Sequence, residues 1–213
     1  MASARQGVKV SLLERYGYLG GLVLHLMGYW DGVRTVVWGI GGEVANRLAE
    51  MSGMTRPAPG CDGTADPELI KYVALEMVRE AGVDLIHHCW AYTAIAGEAD
   101  VRGVVTVSKS GKRAFLARVV VDATGDGDIF ASAGSPFYEG QRGIGLPFRL
   151  GGVDFEKAKL FREQESERFQ QLVAEANEIG ALPGIGSAPA VHLGVIWWNN
   201  WWNVLSSLDV LDL

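Results

Sequence analysis

The chain has 213 residues, enough to bury a substantial core, and Lys+Arg 19 against Asp+Glu 25 gives a formal net charge of -6 with a pI near 5.2. That balance excludes the basic stripe of a nucleic-acid binder, and a hydrophobic share of 48% excludes a disordered chain. Glycine is the departure, with 28 residues, nearly twice the typical share of roughly 7%; no collagen-like or solenoid period accompanies it, so many positions call for tight turns or close backbone approach.

Met1 to Gln6 reads as the last turn or two of a helix, ended by Gly7 as its C-cap. Val8 to Glu14 alternates and then runs apolar, as a buried parallel strand does. Arg15-Tyr16-Gly17-Tyr18-Leu19-Gly20-Gly21 then forms a glycine-rich loop that carries aromatic residues and leads into the apolar stretch Leu22 to Tyr29. Gly41 to Met51 predicts a helix with Val44, Leu48 and Met51 on one face, broken by Arg56-Pro57-Ala58-Pro59-Gly60. Asp66-Pro67 supplies an N-cap and a proline at the first helical position, Glu68 to Ala81 keeps helical spacing, and Gly82 closes it. Val83 to Cys89 is the next strand, so the order helix, glycine, strand occurs twice and predicts an α/β fold.

Ala91 to Ala96, Gly103 to Ser108 and Ala114 to Val121 are short alternating runs joined by turn-forming residues, the pattern of a small antiparallel meander. The last run continues as the apolar Ala117 to Ala123 and delivers Thr124-Gly125-Asp126-Gly127-Asp128 to a helix start at Ile129 to Ala133. After Gly134-Ser135-Pro136 come a strand-like Leu146 to Leu150, a polar helix from Asp154 to Ile179 whose charged middle is a solvated face, and Val191 to Val204 with the tryptophans 197, 198, 201 and 202.

Two features carry chemistry. Glu14 is an acid at the carboxyl end of an apolar strand, where a dinucleotide-binding βαβ unit places the carboxylate that accepts hydrogen bonds from a ribose diol; an acid at the top of any α/β strand is the plain alternative. Thr124 to Asp128 is a glycine-rich turn at a helix start, suited to a phosphate or ribityl group or, equally, to a tight turn with capping aspartates. No G-x-G-x-x-G fingerprint occurs. Cys61 and Cys89 lie far apart and point weakly to a reducing compartment. His25 follows the glycine loop and is the one candidate acid or base, while His87 and His88, adjacent in a strand, would point to opposite faces and hold no metal together. The tryptophan pairs would share a face if helical, as a stacking platform or as core, and Arg142 and Arg149 are candidates for an anionic substrate or plain surface residues.

The string Gln6 to Gly21, with Glu14-Arg15-Tyr16-Gly17-Tyr18-Leu19-Gly20-Gly21 inside it, and Asp122-Ala123-Thr124-Gly125-Asp126-Gly127-Asp128 about a hundred residues later resemble the FAD-dependent oxidoreductases of the two-dinucleotide-binding-domain class, in the branch written E-R-x-G-x-L-G-G and D-A-T-G-D-G-D. The resemblance implies a partial FAD/NAD(P)-binding Rossmann-like domain with a β-meander over 1–140 and part of an α+β substrate or cap domain over 141–213. It implies that Glu14 holds the adenosine ribose of FAD, that Arg15 and the loop through Gly20 and Gly21 pack around the cofactor, and that Ala91 or Tyr92 offers backbone near the adenine. It places Thr124, Gly125 and Asp126 near the phosphates and ribitol.

The expected activity is hydride transfer between a small organic substrate and FAD. The family's glycine fingerprint and closing segment are not in the sequence, so the chain reads as an internal piece. A catalytically inert flavoprotein fragment or interaction module is the alternative. An NAD-binding protein is disfavoured, because the meander before D-A-T-G-D-G-D belongs to the FAD class by resemblance. Neither nucleic acid nor a membrane is expected as a partner, a homo-oligomer or a partner supplying the missing part is left open, and the expected location is cytoplasmic, since no apolar run approaches a membrane span and the first residues lack a signal peptide's apolar core.

Overall fold

Glycines and prolines interrupt the apolar runs so often that the chain forms many short elements. The computed structural model describes residues 1–21, 28–29, 39–53, 63–98, 100–138, 144–145, 148–152, 154–178, 190–192, 195–198 and 201–202. In chain order its elements are α1 (Ala2–Arg5), β1 (Ser11–Leu13), β2 (Gly28–Tyr29), α2 (Gly39–Glu50), β3 (Gly63–Thr64), α3 (Pro67–Glu80), β4 (Asp84–Ile86), β5 (Trp90–Ala96), β6 (Val101–Ser108), β7 (Gly111–Leu116), α4 (Asp128–Ser132), β8 (Ile144–Gly145), β9 (Phe148–Gly151), α5 (Phe155–Gln164), α6 (Ser166–Glu178), β10 (Ala190–His192), β11 (Val195–Trp198) and β12 (Trp201–Trp202). The chain divides into two compact units, one of Met1–Gly21, Trp38–Val44 and Ile70–Glu139, the other of Leu22–Val37, Ala45–Leu69 and Gly140–Leu213.

In the first unit, two helices end in the same way and feed two paired strands. Gly7, at φ +81°, donates its N–H to the Ala4 carbonyl at 2.9 Å, while Val8 N–H reaches Ser3 at 3.1 Å. Gly82, at φ +68°, donates to Arg79 at 3.0 Å, and Val83 N–H reaches Val78 at 3.2 Å. Both are Schellman caps, which need a left-handed residue that glycine supplies without Cβ strain. Each cap turns the chain into a strand, and β1 and β4 pair in parallel with Ser11 opposite Asp84 and Leu13 opposite Ile86. This is the α/β unit expected from the repeated helix, glycine, strand order.

Helix α3 starts as its sequence dictates: Asp66 Oδ1 accepts the Glu68 N–H at 2.8 Å, and Pro67 occupies the first helical position. Ile70, Val73, Met77 and Val78 are buried along its length, the helical spacing of a core-facing stripe. The meander runs β5-β6-β7, all antiparallel, with Trp90 opposite Val107 and Val107 opposite Lys112. Val104 and Thr106 of β6 are buried, and the Thr106 hydroxyl donates to the Arg113 carbonyl at 3.4 Å. Helix α4 lies against β5, where Ala94 N–H donates to Ser132 Oγ at 2.9 Å beside a register shift between Ala91 and Thr93.

The structure differs from the expectation over Ala114 to Ala123. Strand β7 covers Gly111–Leu116, and 117–123 joins no ladder among the described residues, with Val119 and Val121 77% and 81% exposed. An apolar run encodes the burial it seeks but not the strand it pairs with, and a strand is defined by its partner.

The second unit holds an antiparallel sheet ordered β10-β11-β9 and the pairs β12·β8 and β2·β3. Asp154 caps α5 by accepting the Lys157 N–H at 3.2 Å; the Lys157 side chain beside it and that amide hold its carboxyl below the usual carboxylate range. The polar stretch expected as one helix from Asp154 to Ile179 is two, α5 and α6, parted at Glu165 (φ -118°, ψ 42°), with no glycine or proline to announce the break. The tryptophans at 197, 198, 201 and 202 lie on strands β11 and β12, so the helical face expected for them does not form. Among the described residues no helix is long and apolar enough to cross a membrane.

Candidate functional site

Glu14 stands where β1 ends, held through both flanking peptides by β4 and the segment after it: its N–H donates to the Ile86 carbonyl and its carbonyl accepts the Cys89 N–H, each at 2.9 Å. The parallel register therefore carries the two strand ends forward side by side, 14–16 against 87–89. The Glu14 carboxylate folds back over its own turn, and Oε1 accepts the Tyr16 N–H at 2.8 Å. Among the described residues nothing donates to Oε2. A carboxylate oxygen at the mouth of a parallel strand pair, braced through its twin, is suited to accept from a hydroxyl or a diol.

Aromatic rings and cations surround that turn. Tyr16 stacks on Tyr18 with centroids 5.3 Å apart and planes 8° from parallel. The Arg15 guanidinium lies 4.6 Å from the Tyr16 ring centroid and 5.9 Å from that of Trp90, and Lys71 Nζ sits 4.6 Å from the Tyr18 ring. Gly20 and Gly21 come next, with φ of +128° and +52°, conformations that give the loop its direction and that side chains resist. Ala91 adjoins Trp90 on β5, so Glu14, Arg15 and Ala91 gather at one end of this unit through the Arg15–Trp90 contact.

The second turn, Asp122 to Asp128, is internally satisfied. Asp122 Oδ1 accepts from the Thr124 N–H at 3.0 Å and the Thr124 hydroxyl at 2.7 Å, and Oδ2 accepts the Phe130 N–H at 2.8 Å. Thr124 Oγ1 in turn accepts the N–H groups of Gly127 and Asp128, both at 3.1 Å. Gly125 and Gly127, at φ +97° and +76°, bend the chain so that these bonds close. Burial pushes the Asp122 carboxyl up, and hydrogen bonds from the Thr124 and Phe130 amides, the Thr124 hydroxyl and the Ile129 amide outweigh it, leaving its pKa below the ordinary 3.8. The Thr124 hydroxyl and the amides of Gly127, Asp128 and Phe130 are thus engaged in capping α4, and Gly125 and Asp126 form the exposed tip. No hydrogen bond or ring contact joins this cluster to the Glu14 cluster among the described residues.

A family model described as "FAD dependent oxidoreductase" matches residues 1–185. The chain belongs to the FAD dependent oxidoreductase family. Its cofactor is accordingly FAD. Among solved structures the chain is similar to the crystal structure of Thermovibrio ammonificans THI4, at 21% identity and a TM-score of 0.44, over 61% of this chain and 53% of that one. The chain thus spans about half the length of that protein. No curated protein matches the chain.

For a member of this flavin family, the described residues offer one direct fit to the cofactor, the open Oε2 of Glu14, whose acceptor character suits a ribose diol. His25, Cys61 and Arg142 lie outside the described residues, and of the side chains of Arg149, His192 and the four tryptophans nothing is described. Cys89 is buried and free. No group of three His, Cys, Asp or Glu residues able to hold a metal occurs among the described residues.

Sequence reasoning overlooked two contributors. It weighed His87 only as a metal ligand, whereas its Nδ1 lies 3.1 Å from the Tyr16 carbonyl. It left Trp90 outside both strands it drew, Val83 to Cys89 and Ala91 to Ala96, whereas Trp90 opens β5 and its ring flanks Arg15. The signal that would have found both is the aligned ends of two parallel strands, since the residues leaving β4 must lie beside the residues leaving β1.

Proposed function

We propose that this chain forms the FAD-binding portion, and part of the substrate portion, of an oxidoreductase that transfers hydride between a small organic substrate and flavin. The observation that carries this reading is the Glu14 carboxylate, set at the mouth of β1 with Oε1 tied to the Tyr16 amide and Oε2 open. In this reading Oε2 accepts from the adenosine ribose hydroxyls. Arg15, flanked by Tyr16 and Trp90, and the left-handed Gly20 and Gly21 shape the wall against which the adenosine half rests, with Ala91 backbone near the adenine. The exposed tip of the second turn, Gly125 and Asp126, faces the phosphate and ribitol part, while Thr124 holds that tip in place through its two accepted amides. In this reading 1–140 serve the cofactor and 141–213 the substrate, with Leu22–Val37 and Ala45–Leu69 folding in the same unit as the substrate part. His25 is the candidate acid or base.

Bound flavin supplies the hydride chemistry at N5, and the protein supplies orientation, exclusion of water and proton handling. The test is direct: purify the chain in excess FAD, remove free cofactor, and record the visible flavin bands. Retained flavin that is lost in Glu14→Ala supports the reading. A colourless wild-type protein, or one whose flavin is indifferent to Glu14, overturns it.

A further inference from the structure

Tyr16 is held through both of its flanking peptides. Its N–H donates to Glu14 Oε1 at 2.8 Å, and its carbonyl accepts from the His87 ring at 3.1 Å and from the His88 N–H at 3.3 Å. A carbonyl oxygen can only accept, so His87 Nδ1 carries the hydrogen in this contact. His88 takes φ +52°, a left-handed conformation uncommon for a residue with a side chain. That bend lets successive amides of this segment meet the neighbouring strand end, His88 N–H on the Tyr16 carbonyl at 3.3 Å and Cys89 N–H on the Glu14 carbonyl at 2.9 Å. Residues held in such conformations persist only where their surroundings dictate them. Here the surroundings are the turn that carries Glu14.

We propose that His87 is a positioning residue for the cofactor's ribose: by holding Tyr16 from its carbonyl side it helps fix the N–H that orients the Glu14 carboxylate. The proposal rests on the FAD reading above and extends it to a residue that need not touch the cofactor. The chain of contacts is short and directional. The His87 ring holds the Tyr16–Gly17 peptide, the peptide on the other side of the Tyr16 Cα donates its N–H to Oε1, and an anchored Oε1 leaves Oε2 in one place. A carboxylate free to rotate would have to be ordered by the ligand, and that ordering would weaken binding. The same residue carries the ring that stacks on Tyr18 and lies beneath Arg15, so the brace also steadies the aromatic wall.

Three variants separate this role from simple structural support. Asn at position 87 keeps an N–H donor near the place of Nδ1, whereas Gln places its donor near that of Nε2; both are polar and of similar bulk. FAD dissociation constants, measured by flavin fluorescence titration of the full chain, are expected to stay within about twofold of wild type for His87→Asn. They are expected to weaken by about 3- to 10-fold for His87→Gln, the size of one net hydrogen bond. In a Glu14→Ala background His87→Gln should add less than about twofold, because the carboxylate it positions is gone. Equal affinity for the Asn and Gln variants overturns the proposal, as does an undiminished Gln effect in the Glu14→Ala background. A wild-type chain that binds no FAD, or one indifferent to Glu14→Ala, overturns the FAD reading and this proposal with it. A chain that binds FAD through Glu14 but ignores position 87 overturns this proposal alone.

Discussion

Two turns in the first unit begin with the same local device and end with opposite surfaces. In each, a carboxylate accepts the backbone N–H two residues ahead: Glu14 from Tyr16 at 2.8 Å, Asp122 from Thr124 at 3.0 Å. Asp122 then uses its second oxygen on Phe130 and shares its first with the Thr124 hydroxyl, so the turn closes on itself and caps α4. Glu14 has an opposite fate, with one oxygen committed to its turn and no donor to the other among the described residues. The difference lies in the residues directly after each carboxylate. After Asp122 come an alanine, a threonine and a glycine turn into a helix whose first amides need acceptors; after Glu14 comes a loop of arginine, aromatics and glycine, braced from the side by the residues that follow β4. A glycine-rich turn next to an acid can thus close on itself or leave an acceptor open, and the count of satisfied oxygens tells the two apart.

That contrast breaks if the two acids respond alike to removal. The largest effect is expected for Glu14→Ala on FAD affinity, a loss of about 10- to 100-fold, the range for hydrogen bonds to a charged acceptor. Its melting temperature should change little, since only one amide loses a partner. Asp122→Ala should do the reverse. It deprives two amides and a hydroxyl of their acceptor and uncaps a helix, so a stability loss of about 1–3 kcal/mol is expected in denaturant titration. A stable Asp122→Ala protein, or a Glu14→Ala protein with undiminished affinity, would erase the distinction.

The acid limb of the stability curve sharpens the same comparison. Hydrogen bonding holds the folded Asp122 carboxyl below its ordinary 3.8, so its contribution is fully present above that value and is lost as pH falls through the lowered one. Asp122→Asn, which cannot ionise, should flatten the decline below about pH 4. Unfolding titrations at neutral pH and at about pH 3 measure this directly; equal slopes for both proteins would show that the Asp122 bonds contribute nothing as a charged acceptor.

The sequence foretold the elements whose signals are local. Gly7 and Gly82 announced both Schellman caps, Asp66-Pro67 announced the start of α3, and alternation announced the meander. What it missed depends on partners distant in the chain. Val119 to Val121 read as a strand because the side chains are right for one, yet among the described residues no neighbour completes a ladder. The break at Glu165 carries no glycine or proline and so left the helical period unmarked. At the candidate site, Glu14 was legible from its place at the end of an apolar strand, and the family resemblance made it specific. His87 was not legible, because its meaning arises only when β4 lies parallel to β1 and residue 87 meets residue 16 across 71 positions.

The smallest expected effect probes the brace between those strands. A Cβ at Gly17 would come within 3.0 Å of both Cε1 and Nε2 of His88, tighter than ordinary contact, while Gly17 itself needs no left-handed backbone. His88 is exposed, so its ring can yield by a few tenths of an ångström. Gly17→Ala should therefore cost at most about 1 kcal/mol, partly offset by the lower entropy of the unfolded chain. The informative comparison is the double variant. Removing the ring in His88→Ala makes room for the new methyl, so adding Gly17→Ala to His88→Ala should cost nothing or stabilise slightly, a coupling visible in a double-mutant cycle of unfolding free energies. Strict additivity would mean that the 16–17 turn and the 87–88 segment do not press on one another. The brace on Glu14 would then rest on hydrogen bonds alone.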